Sequence, residues 1–224
     1  MAFEVYKIPP KKERNFFRGL SINSNLIIIN LILFALFTVL LLMEVLSIDA
    51  IAIKPSNIFQ GKYIWTFVTS MFMHAGIFHL FVNMFSLFFI GSLVEKLLGR
   101  KRFLYFYLFS GLFAGLFFVV VSYFLQSDFN TFAVGASGAL FGLVGLLMLL
   151  TPNLPVYVMF IPIPIKMKYA APGLLFILWL ISVTGGVPIG NTAHLGGLIA
   201  GLVYGIYLRN KFPNKINMIG KHFS

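Results

Sequence analysis

In this 224-residue chain, Ser137 sits among glycines in Gly135-Ala136-Ser137-Gly138, and His194 closes the segment Asn191-Thr192-Ala193-His194. A second group, His74, His79 and Asn83, lies well upstream. A serine hydroxyl is a weak nucleophile until a base takes its proton, and neutral imidazole is the usual base near pH 7. Ser137 with His194 is such a pair. Attack on a carbonyl creates an oxyanion, and each preorganised donor aimed at it is worth ~3–4 kcal/mol in a dry site. His79, the Asn83 amide and the backbone N–H of Ser137 are the candidate donors. A helix beginning at Ser137 would add unpaired N–H groups and the positive end of its dipole. Taken alone, a serine in an apolar helix bonds the carbonyl one turn back, and a single histidine can be a structural hydrogen-bonding group. The glycines beside Ser137 permit close approach of a backbone or a substrate. His79 and Asn83, four apart, share one helix face.

Other chemistries lack their residues. There is no cysteine, so thiolate nucleophiles and thiolate metal ligands are excluded. The only aspartates, Asp49 and Asp128, fall between the apolar segments, which removes a paired-aspartate mechanism in the core. The H-E-x-x-H zinc signature is absent, and His74 and His79 have no acidic ligand nearby, so neither a metal nor another cofactor is expected. A non-proteolytic membrane transporter would also use broken helices and polar groups at mid-depth, but no inverted repeat is evident. A substrate-binding pseudoprotease is the other alternative.

The elements that must position these residues follow from composition. The chain is 59% hydrophobic and 10% charged, against about 45–50% and roughly 25% in an average soluble domain. Its surface cannot be covered for water, so most of it must face hydrocarbon. Long charge-free stretches, cut by Pro152, Pro155 and the Thr184-Gly185-Gly186-Val187-Pro188 break, predict six helices. They span roughly 21–46, 75–97, 103–126, 136–150, 169–183 and 192–208. The expected fold is all-α, a polytopic six-transmembrane-helix bundle over residues 20–208, between basic terminal segments 1–19 and 209–224. The fourth and fifth helices are short for a bilayer, so they must extend further or be sheltered by neighbours. The first apolar run is too long for a cleaved signal peptide core.

The net charge of +11 divides unevenly: of 17 basic residues, only Lys54 and Lys62 fall on one side of the bundle. By the positive-inside rule both termini are cytoplasmic in a cell membrane, and no nucleic-acid partner is needed to explain the charge. The second, fourth and sixth helices then enter from the outer face. Counting back to the basic end at ~1.5 Å per residue puts Asn83 at ~20 Å, His79 at ~26 Å, Ser137 at ~21 Å and His194 at ~23 Å, which is one layer. Gly197, Gly201 and Gly205 make a smooth stripe after His194, and Gly138 and Gly142 offer a facing one, predicting close contact between the fourth and sixth helices. Glu95 reads as a structural anchor near Lys96 and Arg100, and His222 as a solvated group in a basic tail.

At these residues the chain resembles the rhomboid family of intramembrane serine proteases. Gly135-Ala136-Ser137-Gly138 is similar to the family's G-x-S-G. His74, His79 and Asn83 resemble its second-helix signature, and Ala193-His194 with Gly197 and Gly201 resembles A-H-x-x-G-x-x-x-G. Gly91, Glu95 and Gly99 resemble the end of that second helix. The resemblance implies a Ser137/His194 dyad without an acidic third member, oxyanion stabilisation by His79 and Asn83, and a bracing role for His74 in the first loop. It implies membrane-protein substrates cut near the outer face, where a substrate helix must unwind to expose its scissile carbonyl. Two positions depart from common family residues. The first loop reads Trp65-Thr66 where many bacterial members have Trp-Arg, and Phe141 stands where tyrosine is frequent, its ring still able to pack on His194.

Overall fold

The computed structural model describes residues 19–126, 128–158, 162–186 and 190–222. Six main helices appear, as expected. Helix α1 (Ile22–Leu42) is followed by a loop containing a single 3-10 turn (Ile48–Ala50) and two short helices, α2 (Pro55–Phe59) and α3 (Thr66–Thr69). Then come α4 (Ile77–Leu98), α5 (Arg100–Leu125) and α6 (Ser137–Leu150). A two-residue antiparallel hairpin, β1 (Pro155–Val156) and β2 (Ile165–Lys166), leads to α7 (Met167–Gly185) and α8 (Asn191–Lys211). The final helix is α9 (Pro213–His222).

The two short predicted helices take different routes. The fifth extends to 19 residues as α7 and is long and apolar enough to cross a membrane, like α1, α4 and α5. The fourth stays at 14 residues as α6, with 11 of them buried. Protein rather than lipid surrounds α6, so its length need not match the bilayer. In α1 only Asn23, Leu26 and Asn30 are buried, and its other faces carry exposed Ile32, Leu36 and Val39. The chain is therefore a multi-pass membrane protein with α6 at its centre.

Small residues set the spacing at that centre. A Cβ on Gly197 would collide with the carbonyl oxygen of Gly138, one on Gly201 with that of Gly142, and one on Gly145 with that of Leu198. Backbone thus meets backbone along α6 and α8, an approach that no side chain permits. The third neighbour, α5, closes in the same way: a Cβ on Gly138 would lie 2.7 Å from the Ala114 methyl, and one on Gly142 2.5 Å from Ser110 Oγ.

Polar groups join α1 to α4 at the basic end. Glu95 is 8% exposed, and its carboxylate accepts the Ile22 N–H at 3.0 Å and the Asn23 N–H at 2.8 Å. It anchors the structure by capping a different helix from its own, satisfying two of the four N–H groups a helix start leaves unpaired. Arg100 donates to the Leu20 carbonyl at 2.9 Å beside it. Helix α4 passes through a π turn at Leu87–Gly91, and the Asn23 amide donates to the Leu87 carbonyl at 2.9 Å and to Ser92 Oγ at 3.1 Å. The π turn is a local widening whose loosened backbone needs outside partners, and Asn23 supplies one.

The basic segment after residue 208 is not a simple tail. Helix α8 runs on to Lys211, Pro213 starts α9, and Ile216 packs into the core. Pro213 at the first helical position and the Ile216/Ile219 spacing are genuine helix signals that the surrounding cations and asparagines obscured. The His222 side chain and residues 1–18 lie outside the described residues, as do Val187 and Pro188.

Gly201→Ala is expected to lower the thermal unfolding midpoint sharply, because the added methyl meets the Gly142 carbonyl. Gly173→Ala, whose Cβ meets nothing within 4 Å, is expected to be neutral or to stabilise by up to about 1 kcal/mol. Removing both acceptors with Glu95→Ala is expected to cost roughly 3–6 kcal/mol, counting two hydrogen bonds to a charged group. Unfolding in a mixed-micelle denaturant titration measures all three.

Candidate functional site

The segment entering α6 is shaped by Gly135, whose φ of +123° suits glycine. Its N–H donates to the Ser70 carbonyl at 2.8 Å, tying it to the first loop. An ideal Cβ on Gly135 would stand 2.8 Å from His79 Cε1, 3.1 Å from His79 Nε2 and 3.6 Å from Ser137 Oγ. Gly135 therefore has to lack a side chain for the His79 ring and the Ser137 hydroxyl to share one small space.

Ser137 occupies the first turn of α6, where the first intrahelical bond runs from Leu140 N–H to the Ala136 carbonyl at 3.0 Å. The N–H groups of Ser137, Gly138 and Ala139 precede that bond and have no acceptor within the helix. Across the glycine seam, His194 Nε2 lies 2.8 Å from Ser137 Oγ. The histidine is 7% exposed, and its Nδ1 has no hydrogen-bond partner. For Nε2 to accept the serine proton, Nδ1 must carry the ring hydrogen. Among the described residues no carboxylate orients the ring. Instead Phe141 stacks on it, with centroids 4.5 Å apart and planes 23° from parallel. Phe141 is one turn beyond Ser137, so the same helix holds the hydroxyl and the surface against which the imidazole lies.

His79 Nδ1 accepts the Ala75 N–H at 3.3 Å. In the neutral ring this leaves Nε2 as the N–H donor, and Cε1 and Nε2 together form the ring edge that lies against Gly135. Asn83 behaves differently. It is 3% exposed, its amide donates to the His79 carbonyl one turn back at 2.8 Å, and its Oδ1 is unpartnered. The helix face it shares with His79 is as expected, but its hydrogen bond goes to its own helix and no bond joins it to Ser137 or His194.

His74 lies in the loop before α4, 1% exposed, with its ring edge-on to His79 at 5.2 Å and to Phe34 of α1 at 6.1 Å. Its Nε2 faces the Ala136 N–H at 3.5 Å, the long limit of a hydrogen bond. It touches the first loop, α1 and the residue before Ser137. Burial, and after it the neighbouring His79, push its pKa from 6.5 down to about 4. The ring is therefore neutral and able to accept at ordinary pH.

Much of the support for this site was not apparent from side-chain types. The first loop folds back on the segment leading to Ser137 through backbone bonds. Ile53 and Ala133 exchange a pair at 3.1 and 2.9 Å, and the Ser56 N–H donates to the Phe129 carbonyl at 2.9 Å. The loop is itself held by Trp65 Nε1 donating to the Ala50 carbonyl at 2.9 Å and Thr69 Oγ1 to the Ile51 carbonyl at 2.8 Å. Thr66 is fully buried and bonds the Tyr63 carbonyl at 2.7 Å, closing the turn locally at the position where an arginine is common in bacterial relatives. Such pairings join residues far apart in sequence and leave no local pattern. Among the described residues no three histidine or acidic side chains come together as a metal would require.

The arrangement can raise the nucleophilicity of Ser137 and offers N–H donors beside it. Phe141→Tyr is expected to label with a fluorophosphonate probe at close to the wild-type rate, since the stacked ring is kept. Phe141→Ala frees the imidazole to turn and is expected to slow labelling by ~10–100-fold, the scale at which ångström misplacement acts. For His74, an unfolded chain takes up a proton near pH 6.5 and the folded chain only near 4. Its contribution to stability is thus complete above pH 6.5 and declines as pH falls toward 4. The unfolding midpoint of His74→Asn is expected to vary less than that of the wild type across this window.

Comparison with known proteins bears on the same residues. The Rhomboid domain matches residues 61–211, a span containing every site residue above. Over 162 residues, 70% of this chain, the sequence is 37% identical to RHOMBOID-like protein 6, mitochondrial, of Arabidopsis thaliana, covering 48% of that protein. It is 31% identical to Rhomboid protease GluP of Bacillus subtilis over 66% of this chain and 26% of the relative. It is also 33% identical to Inactive RHOMBOID-like protein 8 of Arabidopsis thaliana, over 63% of this chain and 37% of the relative. The chain thus spans about half or less of the length of these relatives.

Proposed function

The chain belongs to the rhomboid family, and from that premise we propose that it is an intramembrane serine endopeptidase that cuts membrane-protein substrates in or near their transmembrane helices. The observation that carries this reading is the 2.8 Å approach of His194 Nε2 to Ser137 Oγ beside the unpaired N–H groups of α6. Those groups suit an enzyme and are not required of a transporter.

In the proposed reaction Ser137 Oγ attacks the scissile carbonyl while His194 Nε2 takes its proton. The tetrahedral oxyanion is met by the Ser137 N–H and by His79 Nε2–H, with the Asn83 amide contributing if it turns away from the His79 carbonyl. Stacking on Phe141 keeps the imidazolium aligned. His194 then returns the proton to the leaving amine, the C–N bond breaks and an acyl ester remains on Ser137. A water molecule, deprotonated by His194, hydrolyses that ester and restores the free hydroxyl. The substrate segment must leave its helix first, because a helical carbonyl is already hydrogen-bonded. Supporting roles fall to His74, which braces the loop, to Gly135 and Gly138, which give clearance at the nucleophile, and to Gly197 and Gly201, which let α8 come close. No metal or cofactor is called for.

The basic ends of the helices face the cytoplasm in this reading, since the order of the apolar runs assigns 15 of the 17 basic residues to one side. The termini are then cytoplasmic and the site opens toward the outer face of a cell membrane. A substrate-binding pseudoprotease is the competing reading, prompted by the relative whose name calls it inactive.

Reconstitution in liposomes with a tagged single-span substrate separates the two. Ser137→Ala and His194→Ala are each expected to abolish cleavage, and His79→Ala to slow it by ~10²–10³-fold, the loss typical of one oxyanion donor. Cleavage surviving in either dyad variant would refute the mechanism. A wild-type protein that binds substrate but neither cuts it nor labels with a fluorophosphonate is the pseudoprotease.

A further inference from the structure

Helix α9 (Pro213–His222) begins beyond the last residue matched by the Rhomboid domain, so nothing in the family comparison accounts for it. Its inner side is apolar: Ile216 is 9% exposed, Ile219 packs against the same core, and Gly220 sits over the Leu150 carbonyl. This places α9 across the end of α6 opposite Ser137. Its outer side carries Lys215, Asn217 and Met218, the last 73% exposed. Beside it stand Arg209 and Lys211 at the end of α8, and strand β2 and the start of α7 bring Lys166 and Lys168 to the same end of the bundle. Arg209, Asn210 and Asn217 also line a cleft of about 170 Å³ between α8 and α9.

Among the described residues the carboxylate at this end is Glu95, and it is buried and spent on the N–H groups of α1. The others, Glu44, Asp49 and Asp128, lie at the opposite ends of the helices. Among the described residues no carboxylate therefore pairs with Arg209, Lys211, Lys215, Lys166 or Lys168. Next to them, Met218 and the 37% exposed Phe212 are apolar groups open to the surroundings. A surface that is cationic and apolar side by side, at the depth where apolar helices end, matches a membrane interface: phosphates for the cations and the upper acyl layer for Met218. Nucleic acid or an acidic protein would satisfy only the first.

We propose that α9, with Arg209, Lys211 and Lys215, with Lys166 of β2 and with Lys168 in the first turn of α7, forms a docking surface for the phosphate headgroups of anionic phospholipid. Lipid bound there holds α9 against the end of α6 and so steadies the helix that carries Ser137. The inference does not depend on the proteolytic reading.

The test uses the full chain in detergent micelles, titrated with phosphatidylglycerol or with phosphatidylcholine of the same acyl composition. Native mass spectrometry reads retained lipid, and thermal unfolding reads stability. Phosphatidylglycerol is expected to be retained several-fold over phosphatidylcholine and to raise the midpoint, with both effects lost in about 0.5 M salt as screening shortens. The triple variant R209Q/K211Q/K215Q is expected to retain the two lipids equally. Lys211 also donates to the Tyr207 hydroxyl at 2.7 Å, so Lys215→Gln alone serves as the milder variant and is expected to lose part of the preference with the fold intact. Equal retention of both lipids by the wild type overturns the proposal. So does a preference that persists unchanged in the variants, or a short oligonucleotide or acidic peptide that displaces phosphatidylglycerol at equal ionic strength.

Discussion

The contact on which the rest depends is backbone against backbone between α6 and α8. Gly197 and Gly201 stand where any Cβ would strike the carbonyl oxygens of Gly138 and Gly142. In hydrocarbon there is little hydrophobic gain from bringing helices together, so packing has to come from shape, and glycine removes the side chains that would hold the axes apart. The result is local as well as global. Only with α8 this close can a histidine at its start reach a serine at the start of α6 within 2.8 Å. Each added methyl would move the His194 ring away from the Ser137 hydroxyl.

Around that seam neutral neighbours, not a charged residue, hold the His194 ring. A carboxylate buried next to His194 would have to be desolvated in the least polar part of the chain. Phe141 instead constrains the ring by stacking, at no electrostatic cost, and leaves Nδ1 to carry the hydrogen. His79 is oriented by a backbone N–H from its own loop, and Gly135 makes room for it. Two histidines are thus assigned different hydrogen positions by neutral neighbours: Nδ1–H for His194, if it is to accept, and Nε2–H for His79.

Polar side chains elsewhere follow the same rule that buried backbone groups must find partners. Glu95 closes the start of α1, Asn23 serves the π turn of α4, and the first loop exchanges backbone bonds with the segment before α6. These contacts tie the lipid-facing α1 and the loop to the buried centre, where large apolar side chains exposed to lipid could not. The loop and α9 mark the two ends of the molecule, one beside the site and the other across the far end of α6.

The order and number of the six main helices, and the meeting of Ser137 with His194, were legible in the residues themselves. Hydrophobic runs, breakers and a fixed rise per residue are local properties, and so is the glycine spacing that foretold the meeting of α6 and α8. Local pattern could not show that Asn83 bonds the His79 carbonyl, that Glu95 caps α1, or that the first loop is built from short helices paired to residues near 130. Each of these turns on where a distant backbone atom lies. The same holds for α9, whose few apolar residues become a core face only once the end of α6 is beside them. Sequence by itself determined the solvent, the helices and the polar groups they carry, because those depend on side-chain type and spacing along one chain. Tertiary structure alone decided which donor faces which acceptor, because a hydrogen bond is set by distance and angle between atoms that the sequence keeps far apart.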